Sequence, residues 1–279
     1  MVSHGIKKAI ALFLVMLIPL TSVYFVVAQS TPEGPGTFTE VSVSKRAANY
    51  PSARNVYAGN ITWMQVNAST ITQAWAGFLG NVTGVVTLDD SNNKTLYDWQ
   101  IAKPRGEVYA VEDGVINWTT TNVLCWNYTV GHDAEEYLHY LEYQGGASSA
   151  KVAYVGLNIS ADDYDSVNNT FVNTRTHKNF YVGGQGILGD VAAKNVDANP
   201  ARGCPAAYMY NSTSPSGSGR FNEVLLYSHS DAKPIYTAII EDDYNSFDAS
   251  TADFEMIVAE NGHNGDVATT TYYFFVELS

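Results

Sequence analysis

The sequence predicts a mainly β protein, a β-sandwich or jelly-roll-like ectodomain with one short helical insertion near residues 131–170. Three observations carry this. Short runs rich in β-branched and aromatic residues recur with Gly, Asn and Asp between them. Aromatic content is 13%, mostly 19 tyrosines, whose rings pack while their hydroxyls stay hydrated. Hydrophobic content is 46% against 15% charged, a packed composition rather than a disordered one.

The chain of 279 residues opens on "MVSHGIKKAIALFLVMLIPLTSVYFVVAQS". Lys7 and Lys8 make a positive start, Ile10 to Leu20 is apolar, and Val26-Val27-Ala28 is the kind of step that a signal peptidase cuts. Residues 1–30 therefore read as a signal peptide or as an N-terminal membrane anchor, since the run to Ala28 is just long enough to span. Lys7-Lys8-Ala9 also resembles a pilin-type processing site. Each alternative exports residues 31–279, which form one β-rich extracellular domain, and the only membrane contact expected is through a retained N-terminal segment.

"TFTEVSVSK" (37–45) alternates, with Phe38, Val41 and Val43 separated by polar residues, and is expected to be a strand. "NITWMQV", "VTGVVTL", "TLYDWQI" and "GEVYAVE" follow as further strands. Around Asn81, "GNVTG" reads as a turn, with the tryptophans beside it facing inward. "GHDAEEYLHYLEYQGG" reads as a helix: Asp133 caps it, Glu136 completes the cap, Ala134, Leu138 and Leu141 form a stripe, and Gly145 ends it. A shorter helical turn is expected in "SADDYDSVNN", capped by Ser160. Residues 195–219 read as loop. Strands return in "AAYMY", "RFNEVLLYS", "PIYTAIIE", "ADFEMIVAE" and "TTTYYFFVEL". The last is apolar on both faces, which places it centrally or under cover on both sides.

The chain holds 28 acidic and 15 basic residues, and without Lys7 and Lys8 its net charge is −15. That excludes a basic nucleic-acid-binding surface. Nine Asn-x-Ser/Thr triplets stand at Asn60, Asn67, Asn81, Asn93, Asn117, Asn127, Asn158, Asn168 and Asn211. Composition alone gives about three or four, so an excess behind an export signal points to N-glycosylation. Cys125 and Cys204 are the only cysteines, and an even pair in an exported chain reads as one disulfide; two separate buried thiols are the alternative.

Two constellations resemble metal sites. His132, Glu136 and His139 fall near one helix face, but without a zincin pattern. Asp242, Asp243 and Asp248 sit in the acidic stretch "EDDYNSFDASTADFE", where Ser246 and Phe247 break the EF-hand register, so an exposed acidic hairpin is the simpler reading. No resident metal or cofactor is assigned. Phosphate-loop, dinucleotide and nucleophile-elbow motifs are lacking, and the six histidines are scattered, so no catalytic residue is assigned and no enzyme activity is expected.

"AGNIT" (58–62), "AWAGFLGNVTG" (74–84), "LYDW" (96–99), "GEVYA" (106–110) and the cysteine after "NW" (117–118) resemble a group of exported archaeal proteins without an assigned activity. The similarity continues in "PIYTAIIEDD" and "TADFEMIV". It implies a β-rich surface or secreted protein and no catalytic residues. The expected function is a glycosylated cell-surface or extracellular structural or adhesion protein, an assembling subunit among the options. Its partners would be itself, other surface proteins or surface glycans. The rivals are a carbohydrate-binding module, a surface hydrolase, and a pilin-like accessory subunit. Exposed aromatics along a groove would favour the first rival; a free strand edge or an extended arm at residues 31–50 would favour assembly by strand addition.

Overall fold

A computed structural model describes residues 31–47, 49–119, 122–126, 141–144, 151–154, 163–172, 175–183, 185–187, 189, 204–211, 221–228, 230–231, 233–260 and 269–279. The fold is mainly β. In chain order the strands are β1 (Trp75–Gly80), β2 (Val85–Asp89), β3 (Thr95–Gln100), β4 (Gly106–Val111), β5 (Val123–Cys125), β6 (Leu141–Gln144) and β7 (Lys151–Tyr154). A one-turn helix α1 (Val167–Thr170) follows. Then come β8 (Phe180–Val182), β9 (Gln185–Ile187), β10 (Ala206–Tyr208), β11 (Asn222–Ser228), β12 (Lys233–Ile239), β13 (Tyr244–Asn245), β14 (Thr251–Ala252), β15 (Phe254–Ala259) and β16 (Tyr273–Leu278).

A six-stranded antiparallel sheet forms the centre, in the order β10-β11-β12-β4-β16, with β5 also paired to β11. β4, β11 and β12 are buried along almost their whole length. Their sequences explain this: "GEVYAV", "NEVLLYS" and "KPIYTAI" put apolar residues on both faces, as strands covered on both sides require. On one face Ala110, Leu225, Tyr236 and Ala238 pack with Phe171 beside α1 and with Met256 and Val258 of β15. On the other, Tyr109, Val111, Leu226 and Ile235 pack with Phe180, Val182 and Ile187 of the β8–β9 hairpin. The central sheet thus carries a core on each side, and β1 with β15 forms a separate two-stranded layer over the first.

The disulfide is present: Cys125 at the end of β5 is bonded to Cys204, with a Cα–Cα distance of 5.0 Å and a sequence separation of 79. It joins the second core, where Cys204 is buried.

Several sequence expectations need correction. Residues 37–45 and 60–66 form no strand. Trp63 is exposed, although Trp75 does pack inward, against Phe171 and Tyr236. Leu141–Gln144, read as the end of a helix, is a strand paired with Lys151–Tyr154. Its apolar–polar alternation is a strand pattern, which the helical spacing and cap upstream masked in the sequence. Residues 131–140, the rest of that expected helix, lie outside the described residues. Within the stretch read as a short helical turn, α1 is capped by Ser166, which accepts from the Asn169 N–H, while Ser160, the expected cap, lies outside the described residues. β16 meets the second of its two expected alternatives: it is the last strand of its sheet, and both faces pack, Phe274 on one core and Phe275 on the other.

Candidate functional site

The feature with the plainest capacity to act on another molecule is residues 36–70. Every described residue in that range is exposed, and none belongs to a strand or helix. Both ends are tied down. Glu33 makes one two-way backbone bridge to Val276 on the outer edge of β16, and Phe38 stacks on Phe274 at 4.8 Å. At the far end the Thr72 hydroxyl donates to the Asp165 carboxylate, and Trp75 Nε1 donates to the Asp165 carbonyl at 2.6 Å. Between these anchors the segment doubles back. The Asn60 N–H donates to Tyr57 O, Gly59 takes φ 85° in that turn, and Arg46 grips Ser69 through both side chain and backbone oxygens at 3.1 and 3.2 Å. The left-handed φ explains the glycine. The result is an arm of two legs, carrying Val41, Val43, Tyr50, Ile61, Trp63 and Val66 into solvent.

The second feature is the outer edge of β1. Glu260 N–H donates to Ala74 O, and Gly80 accepts from Asp253 N–H, so even-numbered residues of this strand turn their backbone groups toward β15. Trp75, Gly77 and Leu79 therefore turn theirs outward, and no backbone hydrogen bond meets them there among the described residues. The far edge of β15 is treated differently. Its Ile257 N–H is taken by the Glu223 carboxylate at 2.9 Å, and its Ala259 carbonyl by the Tyr272 hydroxyl at 2.7 Å. One edge of the two-stranded layer is closed by side chains and the other is open. The open strand, "WAGFLG", has no charge and no proline to discourage pairing.

Third, the β2–β3 hairpin is exposed throughout. Its register puts Val86 opposite Trp99 and Leu88 opposite Tyr97, and these four form an apolar face. Tyr97 and Trp99 meet edge-to-face at 4.9 Å.

Buried carboxyls were not foreseen. Glu107, Glu223, Glu255 and Glu277 all lie inside. Glu107 and Glu277 are cross-strand neighbours; burial, and then each other's charge, raise Glu107 well above the ordinary carboxyl range. Burial raises Glu277 to about 7, against hydrogen bonds from Tyr109 and the Gly183 N–H. Glu223 is raised by burial, opposed by its bond from Ile257. Each stands alone in an apolar run, the one sequence signal that could have found them. Two glycines shape the Glu107–Glu277 site. At Gly106 (φ 124°) a Cβ would meet Glu277 O at 1.9 Å, and at Gly183 (φ 53°) it would meet Trp118 O at 1.9 Å.

The sequence-predicted residues fall as follows. Asn60, Asn67, Asn81, Asn93 and Asn117 are exposed, whereas Asn211, expected outside, is half-buried. Asn127 and Asn158 lie outside the described residues, and the side chain of Asn168 does too. So do His132, Glu136 and His139. Asp242 pairs with Lys103 at 2.8 Å; Asp248 accepts from Ser246 and Ser250, whose hydrogen bonds lower it to about 2. The stretch folds as the β13–β14 hairpin, and Asp242, Asp243 and Asp248 do not converge: no group of three potential metal ligands occurs among the described residues. His177 is buried, with Nδ1 facing Lys178 O at 2.7 Å and Nε2 accepting from Cys204 N–H at 3.2 Å, a structural role beside the disulfide.

No protein-family model matches the chain. No curated protein matches it, and no solved structure does.

Proposed function

We propose that this chain is a non-enzymatic structural or adhesion subunit of a cell surface or extracellular assembly, exported and N-glycosylated. The observation that carries this reading is the arm. Among the described residues this doubled segment leaves much aliphatic and aromatic surface exposed, and exposed apolar patches on this scale mark contact surfaces. The export signal, the sequon excess and the resemblance to exported archaeal proteins point the same way. Cell-surface labelling of the native protein, with intact-mass and N-terminal sequencing, tests it. A glycosylated mature chain beginning near residue 31 on the outer surface is expected; an unmodified chain inside the cell would overturn it.

A carbohydrate-binding module is the second reading, favoured by the exposed Tyr97–Trp99 pair, since aromatic faces stack on sugar rings. Binding on a glycan array that Trp99→Ala abolishes would favour it over the structural reading.

A further inference from the structure

We propose that the first leg of the arm, residues 37–45, adds as a strand to the open edge of β1 in a second copy of the chain, so that copies join by strand donation. This rests on the structural-subunit reading and names its partner.

The donor half is a sequence built for a sheet but lacking one. In "TFTEVSVSK", Thr39, Val41 and Val43 fall on one side and Glu40, Ser42 and Ser44 on the other, the alternation of a strand with one covered face. Yet the segment forms no strand and no ladder with any of the described residues. The acceptor half is an edge lacking a strand. β1 offers the outward backbone groups of Trp75, Gly77 and Leu79, three unfilled rungs without a guarding charge. Gly77 leaves space for a close neighbour, because a Cβ there would meet nothing nearer than 3.9 Å. Ala76 and Phe78 share a face with their register partners Met256 and Val258, and Phe78 meets Phe274 at 5.1 Å. An added strand with Val41 and Val43 on that face would extend the first core by one row.

Two observations favour a second copy over other occupants. Donor and acceptor are both left open among the described residues of the same chain, while Phe38 on Phe274 and the Arg46–Ser69 clamp fix the arm in a course that does not pair with β1. The first rung of such pairing already exists, since Glu33 bridges the edge of β16, so this stretch of chain has the geometry for edge addition. The choice of leg follows from the sequons. The return leg carries Asn60 and Asn67, whose glycans would keep it solvated, whereas residues 37–56 carry none. Main-chain bonds supply the affinity in such pairing and alternate side chains the specificity.

The test uses the full exported chain. Isotopically heavy chains with a photo-crosslinking residue in place of Val43 are mixed with light chains and illuminated, and the joined peptides are read by mass. The expected product joins heavy residue 43 to light residues 74–80. Heavy–heavy products alone would mean that the arm folds back on its own edge, and the proposal falls. Products elsewhere on the surface, or none, overturn it equally. A second measurement guards against an uninformative crosslinker. Val41→Asp with Val43→Asp should weaken self-association about tenfold or more, and Gly77→Pro should do so from the acceptor side. Glu40→Gln should leave association unchanged, and because residues 37–45 lie outside the core, the near-UV circular dichroism of the arm variants should match the parent. Association unaffected by the Asp pair sinks the proposal. A surface-exposed, glycosylated chain that fails these tests loses the strand-donation mechanism alone; an unglycosylated intracellular chain loses the reading beneath it.

Discussion

Glu107 and Glu277 lie directly opposite one another on adjacent strands of the central sheet, and both are buried. Like charges in that position are destabilising in water and far more so when desolvated. Burial pushes both carboxyls toward their protonated form, which relieves the repulsion; Tyr109 donates to Glu277 Oε2 at 3.2 Å, and Oε1 meets no hydrogen-bond partner among the described residues.

Stability should therefore depend on pH in a direction opposite to that of a salt-bridged carboxylate. The folded state keeps the Glu277 proton up to about pH 7, while the unfolded chain releases it near 4.5. Between those values the folded state binds more protons, so stability is full below about 4.5 and falls as pH rises toward 7. At about 1.4 kcal/mol per pH unit the loss is roughly 3 kcal/mol. Thermal melts from pH 4 to 8 should show Tm falling across this window, with Glu277→Gln flattening the slope. A Tm that climbs from pH 5 to 7, or an unchanged slope in the variant, contradicts the assignment.

The Cys125–Cys204 bond should contribute measurably to stability. In the chain-entropy account a closed loop of this size is worth about 4 kcal/mol, with smaller gains common in practice. Melts with and without a reductant should differ by several degrees. The paired Cys125→Ser, Cys204→Ser variant should match the reduced parent and lose any response to reductant.

Two aromatic residues should behave in opposite ways. Phe171 is fully buried between Trp75 and Tyr236, so Phe171→Ala should cost about 3–5 kcal/mol in denaturant unfolding. Trp63, 85% exposed on the arm, should cost less than about 0.5 kcal/mol when changed to Ala. A large loss from Trp63→Ala in the isolated chain would mean that the arm packs against its own domain.

Glycan occupancy should follow exposure. Asn60, Asn67, Asn81, Asn93 and Asn117 stand clear of the fold, and half-buried Asn211 should be modified least among the described sites. Peptide mapping of the native protein measures this directly, and full occupancy at Asn211 with empty exposed sites would break the relation.

Much of the fold was legible because apolar runs of strand length have few alternative uses. "GEVYAV", "NEVLLYS", "PIYTAII", "FEMIVA" and "YYFFVEL" all became strands. What alternation could not supply was the partner. Residues 37–45 alternate as well as any strand here, yet pairing needs an edge within reach, and the local pattern does not record one. The same limit hid the pairing of β1 with β15, which joins distant parts of the chain. At Leu141–Gln144 the alternation fits a strand, but the cap and spacing upstream draw the four residues into a helix reading, which the complement at Lys151–Tyr154 overturns. The sequence pattern reads 37–45 as a strand; an arm at 31–50 and a free strand edge enter that reading only as features that would favour assembly, and the return leg leaves no local signal. The buried Glu residues were missed because acidic residues in an acidic chain are first assigned to solvent.

The pairing of early strands with late ones governs how the chain acquires its structure in time. Trp75 finds its partner only when Ala259 is present, and Val108 only when Ala238 is. Both early strands must persist unpaired while most of the sequence is still being made. Such long-range closure slows folding, since the entropy of the loop is lost before any contact is gained. Neither early strand can settle into its sheet until synthesis is nearly complete. It also sets a hazard, because the uncharged β1 stays adhesive on both edges throughout that interval. Refolding from denaturant should accordingly be slow, and its yield should fall steeply with protein concentration.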